Sequence, residues 1–170
     1  MEPLQELLAV DHRRALEFFV TGLQDVSDPG VDRQELLYNA SVLAHYAQVS
    51  TCAGLEMPAP ANLTAIFDNF VLNASIPPDG HLLEVAGAQC LFLTGFFEDR
   101  MRVRHDIRWY AELGAGFFNR AAGYEGSTKK ARLLAMIARH FEPWRQRHAR
   151  LSRELRDQQY LLTPPPSNLM

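Results

Sequence analysis

Cysteine is scarce in this sequence, with Cys52 and Cys90 the only two among 170 residues. Two thiols are too few for a disulfide framework or a four-thiolate zinc site. Both fall on apolar faces of helix-patterned segments, where a reduced thiol behaves as a small hydrophobe. Long apolar runs are missing as well. The most apolar stretch, Val85 to Phe97, is 13 residues long with Gln89 and Thr94 its polar members. A membrane span takes about 20 such residues, so no membrane partner is expected and the run reads as a helix buried in protein. No stretch of useful length alternates apolar with polar residues, which removes the strand signal. The segment Met1-Glu2-Pro3-Leu4-Gln5-Glu6 has two acids and no basic region ahead of its apolar residues, the reverse of a secretory leader. The expectation is a cytoplasmic protein, in which the Asn-x-Ser/Thr triplets at Asn39, Asn62 and Asn73 are chance matches.

Catalytic and cofactor motifs are equally lacking. No acid is followed three residues later by histidine, and no His-x-x-x-His pair occurs, so the ligand sets of di-iron bundles and zincins are absent. The reversed pair His81 and Glu84 suits a helix start and surface pairing better than a metal. Gly114-Ala115-Gly116 is followed by Phe-Phe-Asn within a helical pattern, so it forms no phosphate cradle, and there is no P-loop. A Gly-x-Ser-x-Gly elbow is missing too. The sequence therefore names no catalytic residue, no metal ligand and no cofactor, and its balance leans away from an enzyme.

What is present is helix periodicity. Leu8, Ala15, Phe19, Leu23 and Val26 mark one face of a first segment, broken by Ser27-Asp28-Pro29-Gly30. A second segment, about 32–53, carries Leu36, Ala40, Leu43 and Ala47 on one face and Tyr38, Val42, His45, Val49 and Cys52 on another. A third amphipath spans about 61–74. The apolar run supplies a central helix over 81–98, and Asp106 is placed to cap a fifth helix reaching about Ala122. In the last segment, capped by Ser127 or Thr128, Leu134, Ile137, Phe141, Trp144, His148, Leu151, Leu155, Gln158 and Leu162 repeat at steps of three and four. Pro143 interrupts this seam and is expected to kink or split the long basic helix, because it cannot donate to Arg139. The expected fold is all-α: one domain over 1–163, a bundle of about six helices, followed by a proline-rich tail over 164–170. His12, His45 and His148 fall on otherwise apolar faces and read as core or groove histidines. Gly87 and Gly95 in segment four, and Gly114 and Gly116 in segment five, predict a close crossing of these helices, flanked by Phe117 and Phe118.

The blocks Leu91-Phe92-Leu93-Thr94-Gly95-Phe96-Phe97 and Trp109-Tyr110-Ala111-Glu112-Leu113-Gly114, with Leu43-Ala44-His45-Tyr46 upstream, resemble a family of small bacterial proteins with a Gly-Phe-Phe … Tyr-Tyr … Leu-Gly signature. The resemblance covers about Leu36 to Ala122, and this sequence has Trp109-Tyr110 where that family has two tyrosines. It implies a helical fold and a bacterial source, and carries no activity.

Charge is the most informative feature. Overall, 17 Lys and Arg nearly balance 20 Asp and Glu, for a net −3. Residues 1–80, however, hold 11 acidic and 3 basic side chains, net −8, while residues 81–170 hold 14 basic and 9 acidic, net +5. Such asymmetry points to electrostatic recognition within the fold, between copies of the chain, or with an anion. Arg100, Arg102, Arg104, His105 and Arg108, beside Trp109 and Tyr110, lead into a helix N-terminus that attracts anions and form a candidate ligand site. Arg147, Arg150, Arg153 and Arg156 wind along the last helix as a candidate interaction surface. Two functions follow as expectations. One is a non-enzymatic interaction or regulatory module, self-associating through the last helix or taking a protein partner. The other is a binding protein for nucleic acid or a small anionic or amphipathic ligand, of which nucleic acid is not favoured.

Overall fold

The turn chemistry of the sequence is realised at the described breaks near Ser27, Asp106, Ser127 and Pro143. In the computed structural model, which describes residues 12–52, 80–103 and 106–157, seven helices and no strand occur among the described residues. The side chains of 12, 48–52, 100, 156 and 157 lie outside that description, as do the amphipath at 61–74 and the tail at 164–170. Helix α1, His12–Asp25, ends where the Ser27 hydroxyl donates to the Leu23 carbonyl and Val31 N–H closes the Pro29-Gly30 turn onto Asp28. Asp32 then accepts from Glu35 N–H (3.0 Å) and caps α2, Arg33–Cys52.

The central apolar helix is shorter than its pattern. Helix α3 spans Gly80–Gly95, and a separate short helix α4 covers Glu98–Arg102. Expectation and structure differ here because the ladder widens at the end of α3. Phe97 N–H reaches the Phe92 carbonyl five residues back, at 3.4 Å, and the chain re-aims Glu98 inward. Helix α5, Ile107–Tyr124, starts on Asp106, whose carboxylate accepts from Trp109 N–H, and α6, Thr128–Arg139, starts on Ser127, which accepts from Lys130 N–H. The last helical segment is split rather than bent. Helix α7, Phe141–Asp157, begins after His140, so Pro143 occupies a first turn, where its missing N–H costs nothing.

Helix α3 is the hub of the bundle and runs antiparallel to α5. Gly80 lies against Tyr124, Gly87 against Phe118 and Cys90 against Gly114, a register that steps down one helix and up the other. A Cβ on Gly87 would come 3.0 Å from the Phe118 ring, and one on Gly114 would come 2.6 Å from both Cys90 Cβ and Phe141 Cζ. The glycine expectation holds for these two positions and fails for the others. Gly95 faces α7 instead, where a Cβ would meet His148 Cβ at 2.7 Å, and Gly116 faces open space. Helix propensity registers the cost of a glycine but not the direction in which it points.

The described seam residues Leu134, Ile137, Phe141, Trp144, His148, Leu151 and Leu155 are all buried within their own chain. So are Ala15, Phe19, Leu23 and Val26 of the first face, and Leu36, Ala40 and Leu43 of the second. His45 departs from its expected place: it is exposed, edge-on to Tyr46.

Candidate anion-binding site

A short helix rarely buries a carboxylate unless something receives it, and α4 buries Glu98 under three guanidinium groups. Arg145 Nη1 donates to Glu98 Oε2 at 2.6 Å, while Arg153 Nη2 (2.5 Å) and Arg102 Nη2 (3.0 Å) converge on Oε1. Arg145 is itself buried. Its Nη1 also donates to the Thr94 carbonyl at 3.1 Å, and its Nε and Nη2 form a fork onto Glu142. The bond to Glu142, more than Glu98, holds the Arg145 guanidinium above its usual range, and the bond from Arg145 likewise draws the Glu142 carboxyl below the usual carboxylate range. With four donor contacts spent on protein, Arg145 is a fixed strut joining α3, α4 and α7.

The other arginines are not spent in this way. Arg102 and Arg153 keep side chains 65% and 52% exposed, so each reaches solvent beyond its contact with Glu98. Arg147 lies 4.4 Å over the Trp144 ring, which orients it without neutralising it. Arg150 is exposed, and no acid among the described residues pairs with it or with Arg147. Together these side chains line a cleft of about 580 Å³ with Arg102, Arg145, Arg147, Arg150 and Arg153 against Asp28 and Glu98, a local net charge of +3. Asp28 is the acid that residues 1–80 contribute to this lining. Glu98 and Glu142, which do pair with its arginines, come from the basic half itself. Among the described residues, then, the acidic half does not neutralise this helix. No family model, no curated protein and no solved structure matches the chain. The resemblance noted above thus rests on its quoted residues alone.

The site residues expected from sequence are divided by the structure. Arg147, Arg150 and Arg153 come together in this cleft, joined by Arg102 from the other expected group. Arg102 and Arg108 also line a neighbouring cleft of about 710 Å³ between α5 and the α6–α7 junction. Trp109 and Tyr110, edge-on to one another at 4.7 Å, line neither cleft. Arg104 and His105 lie outside the described residues, and the side chains of Arg100 and Arg156 lie outside them too. Arg145 belongs to the same basic stripe in the sequence, whereas nothing in the pattern marks Glu98 as the residue that gathers it. A signal existed only for the Glu98–Arg102 step of one helical turn, because the other partners lie 47 and 55 residues away.

A second polar cluster lies between α2 and α7. Glu35 Oε1 accepts from His140 Nδ1 (2.9 Å) and Trp144 Nε1 (3.0 Å), and Asn39 accepts from His148 Nε2 (2.9 Å) while donating to the Glu35 carbonyl. The bond to Asn39 fixes the proton on Nε2 of a neutral imidazole, leaving buried Nδ1 without a partner among the described residues. Burial pushes His148 down to about 3, and burial pushes the Cys90 thiol up to about 12, which makes Cys90 a poor nucleophile. Among the described residues no group of His, Cys, Asp and Glu is placed to hold a metal ion.

Proposed function

We propose that this protein is a non-enzymatic binding module for a phosphate-bearing ligand, held in the cleft between α4 and α7. The observation that carries this reading is the +3 lining in which Arg147 and Arg150 have no acid partner among the described residues. Burying Glu98 beneath the arginines fixes Arg102 and Arg153 in place, so ordering them costs little when an anion arrives. Arginine forks suit phosphate oxygens geometrically as well as electrostatically. Self-association through the last helix has less support, because the apolar seam that would drive it is already buried inside the chain.

Calorimetric titration with inorganic tripolyphosphate tests the proposal. Saturable binding that weakens with added salt is expected, and the double variant Arg147→Ala, Arg150→Ala should lower affinity about tenfold or more, since each charge-assisted bond contributes roughly 1.5–3 kcal/mol. Neither side chain pairs with an acid among the described residues, so the variant should stay folded and lose no more than the contact of Arg147 with the Trp144 ring, about 0.5–2 kcal/mol. Absence of binding, or binding untouched by the double variant, overturns the reading.

A further inference from the structure

The two clefts are not independent, because Arg102 and Arg145 line both. They form a shared wall, with Glu98 lining the α4–α7 side and Glu142 the other. Beyond that wall the character of the surface changes. Ile107, Ala111 and Ala115 follow one another at steps of four along α5, and Ala138 and Phe141 face them from the α6–α7 junction. The charged groups around this second cleft nearly cancel, with Arg102, Arg108, Arg139 and Arg145 against Asp106, Glu112 and Glu142. Part of that charge is already engaged, since Arg108 pairs with Glu112 at 3.6 Å and Arg145 with Glu142. A strongly positive cleft therefore adjoins a nearly neutral one with a largely apolar lining, the two sharing Arg102 and Arg145.

We infer that the ligand is an anionic amphiphile, a phosphate monoester whose head sits among Arg147, Arg150 and Arg153 and whose aliphatic chain crosses Arg102 into the cleft lined by Ile107, Ala115 and Ala138. This rests on the phosphate-binding reading above and adds the apolar half of the ligand. The small side chains Ala111, Ala115 and Ala138 leave the space open, and a short alkyl chain buried there gains affinity with each methylene removed from water. The guanidinium plane of Arg102 suits the crossing point, since its stem offers apolar contact and its head an ionic one.

Calorimetry with inorganic phosphate, n-octyl phosphate and n-octanol, each below any micellar concentration, separates the two claims. Octyl phosphate should bind about tenfold or more tightly than inorganic phosphate, the ratio that roughly two buried methylenes produce, and octanol should bind too weakly to saturate. Ala115→Gln and, on the opposite wall, Ala138→Gln should each erase most of that ratio while inorganic phosphate still binds, which also reports that the variant is folded. If octyl phosphate and inorganic phosphate bind alike, or the ratio survives both substitutions, the amphiphile inference is overturned and the phosphate site stands. Should neither phosphate bind, the underlying reading itself falls. Octanol binding as tightly as octyl phosphate would also overturn the inference, since the head would then contribute nothing.

Discussion

His148 is fully buried, donates from Nε2 to Asn39, and leaves Nδ1 with no partner among the described residues. An unpaired buried acceptor costs on the order of 1–3 kcal/mol, and protonating it would place a charge in the core. Burial therefore holds its folded value down to about 3, against 6.5 in an exposed chain. Between those two values the unfolded state binds the extra proton, so stability is complete above about pH 6.5 and falls on acidification toward pH 3, by up to about 1.4 kcal/mol per pH unit. His148→Gln keeps a donor near the Nε2 position and cannot titrate. Urea unfolding at several pH values should show the wild type losing its advantage over this variant as pH drops through the window. A constant difference across it would mean the imidazole is not buried in neutral form. Sequence periodicity placed this histidine on the apolar seam but could not find Asn39, which sits on another helix 109 residues away.

At the scale of elements, the α3–α5 crossing turns on which glycines face inward. Gly114 and Gly116 sit two residues apart on α5, and a methyl group meets opposite surroundings at the two positions. At Gly114 it would press on Cys90 and Phe141, neither of which is a flexible chain end, and overpacking of this kind costs about 1–3 kcal/mol. At Gly116 it meets nothing within 4 Å, so the helix gains the alanine preference of up to about 1 kcal/mol. Gly114→Ala should lower the thermal midpoint and Gly116→Ala should raise it, as read by circular dichroism at 222 nm. The same sign for both would mean the crossing is misplaced. The helix breaks were legible because Asp32, Asp106, Ser127 and Pro143 act locally, on N–H groups a few residues away. The end of α3 was not, since Phe96, Phe97 and Glu98 continue the pattern smoothly and it is the distant arginines of α7 that draw Glu98 inward. Propensity counts neighbours along the chain, and this contact has none there.

For the whole molecule, the net charge of −3 opposes the binding of any polyanion at long range. Attraction must come from a local field, within about one Debye length of 8–10 Å at ordinary ionic strength. That makes position, rather than total charge, the quantity to vary. Arg147→Ala with Arg150→Ala removes two positive charges from the α7 cleft. Arg120→Ala with Lys129→Ala removes two from exposed positions on α5 and α6, outside the lining of either cleft joined at Arg102. Both double variants carry the same net charge, so diffuse electrostatics would weaken tripolyphosphate binding equally in the two. A site built by Glu98 and its arginines requires a different outcome: a loss of about tenfold or more for the α7 pair and less than about twofold for the other, at matched salt. Equal losses would return the charge asymmetry of the two halves to a general property of the surface. Unequal ones would locate it in one cleft, whose lining comes from three stretches of sequence spread over more than a hundred residues, from Asp28 to Arg153.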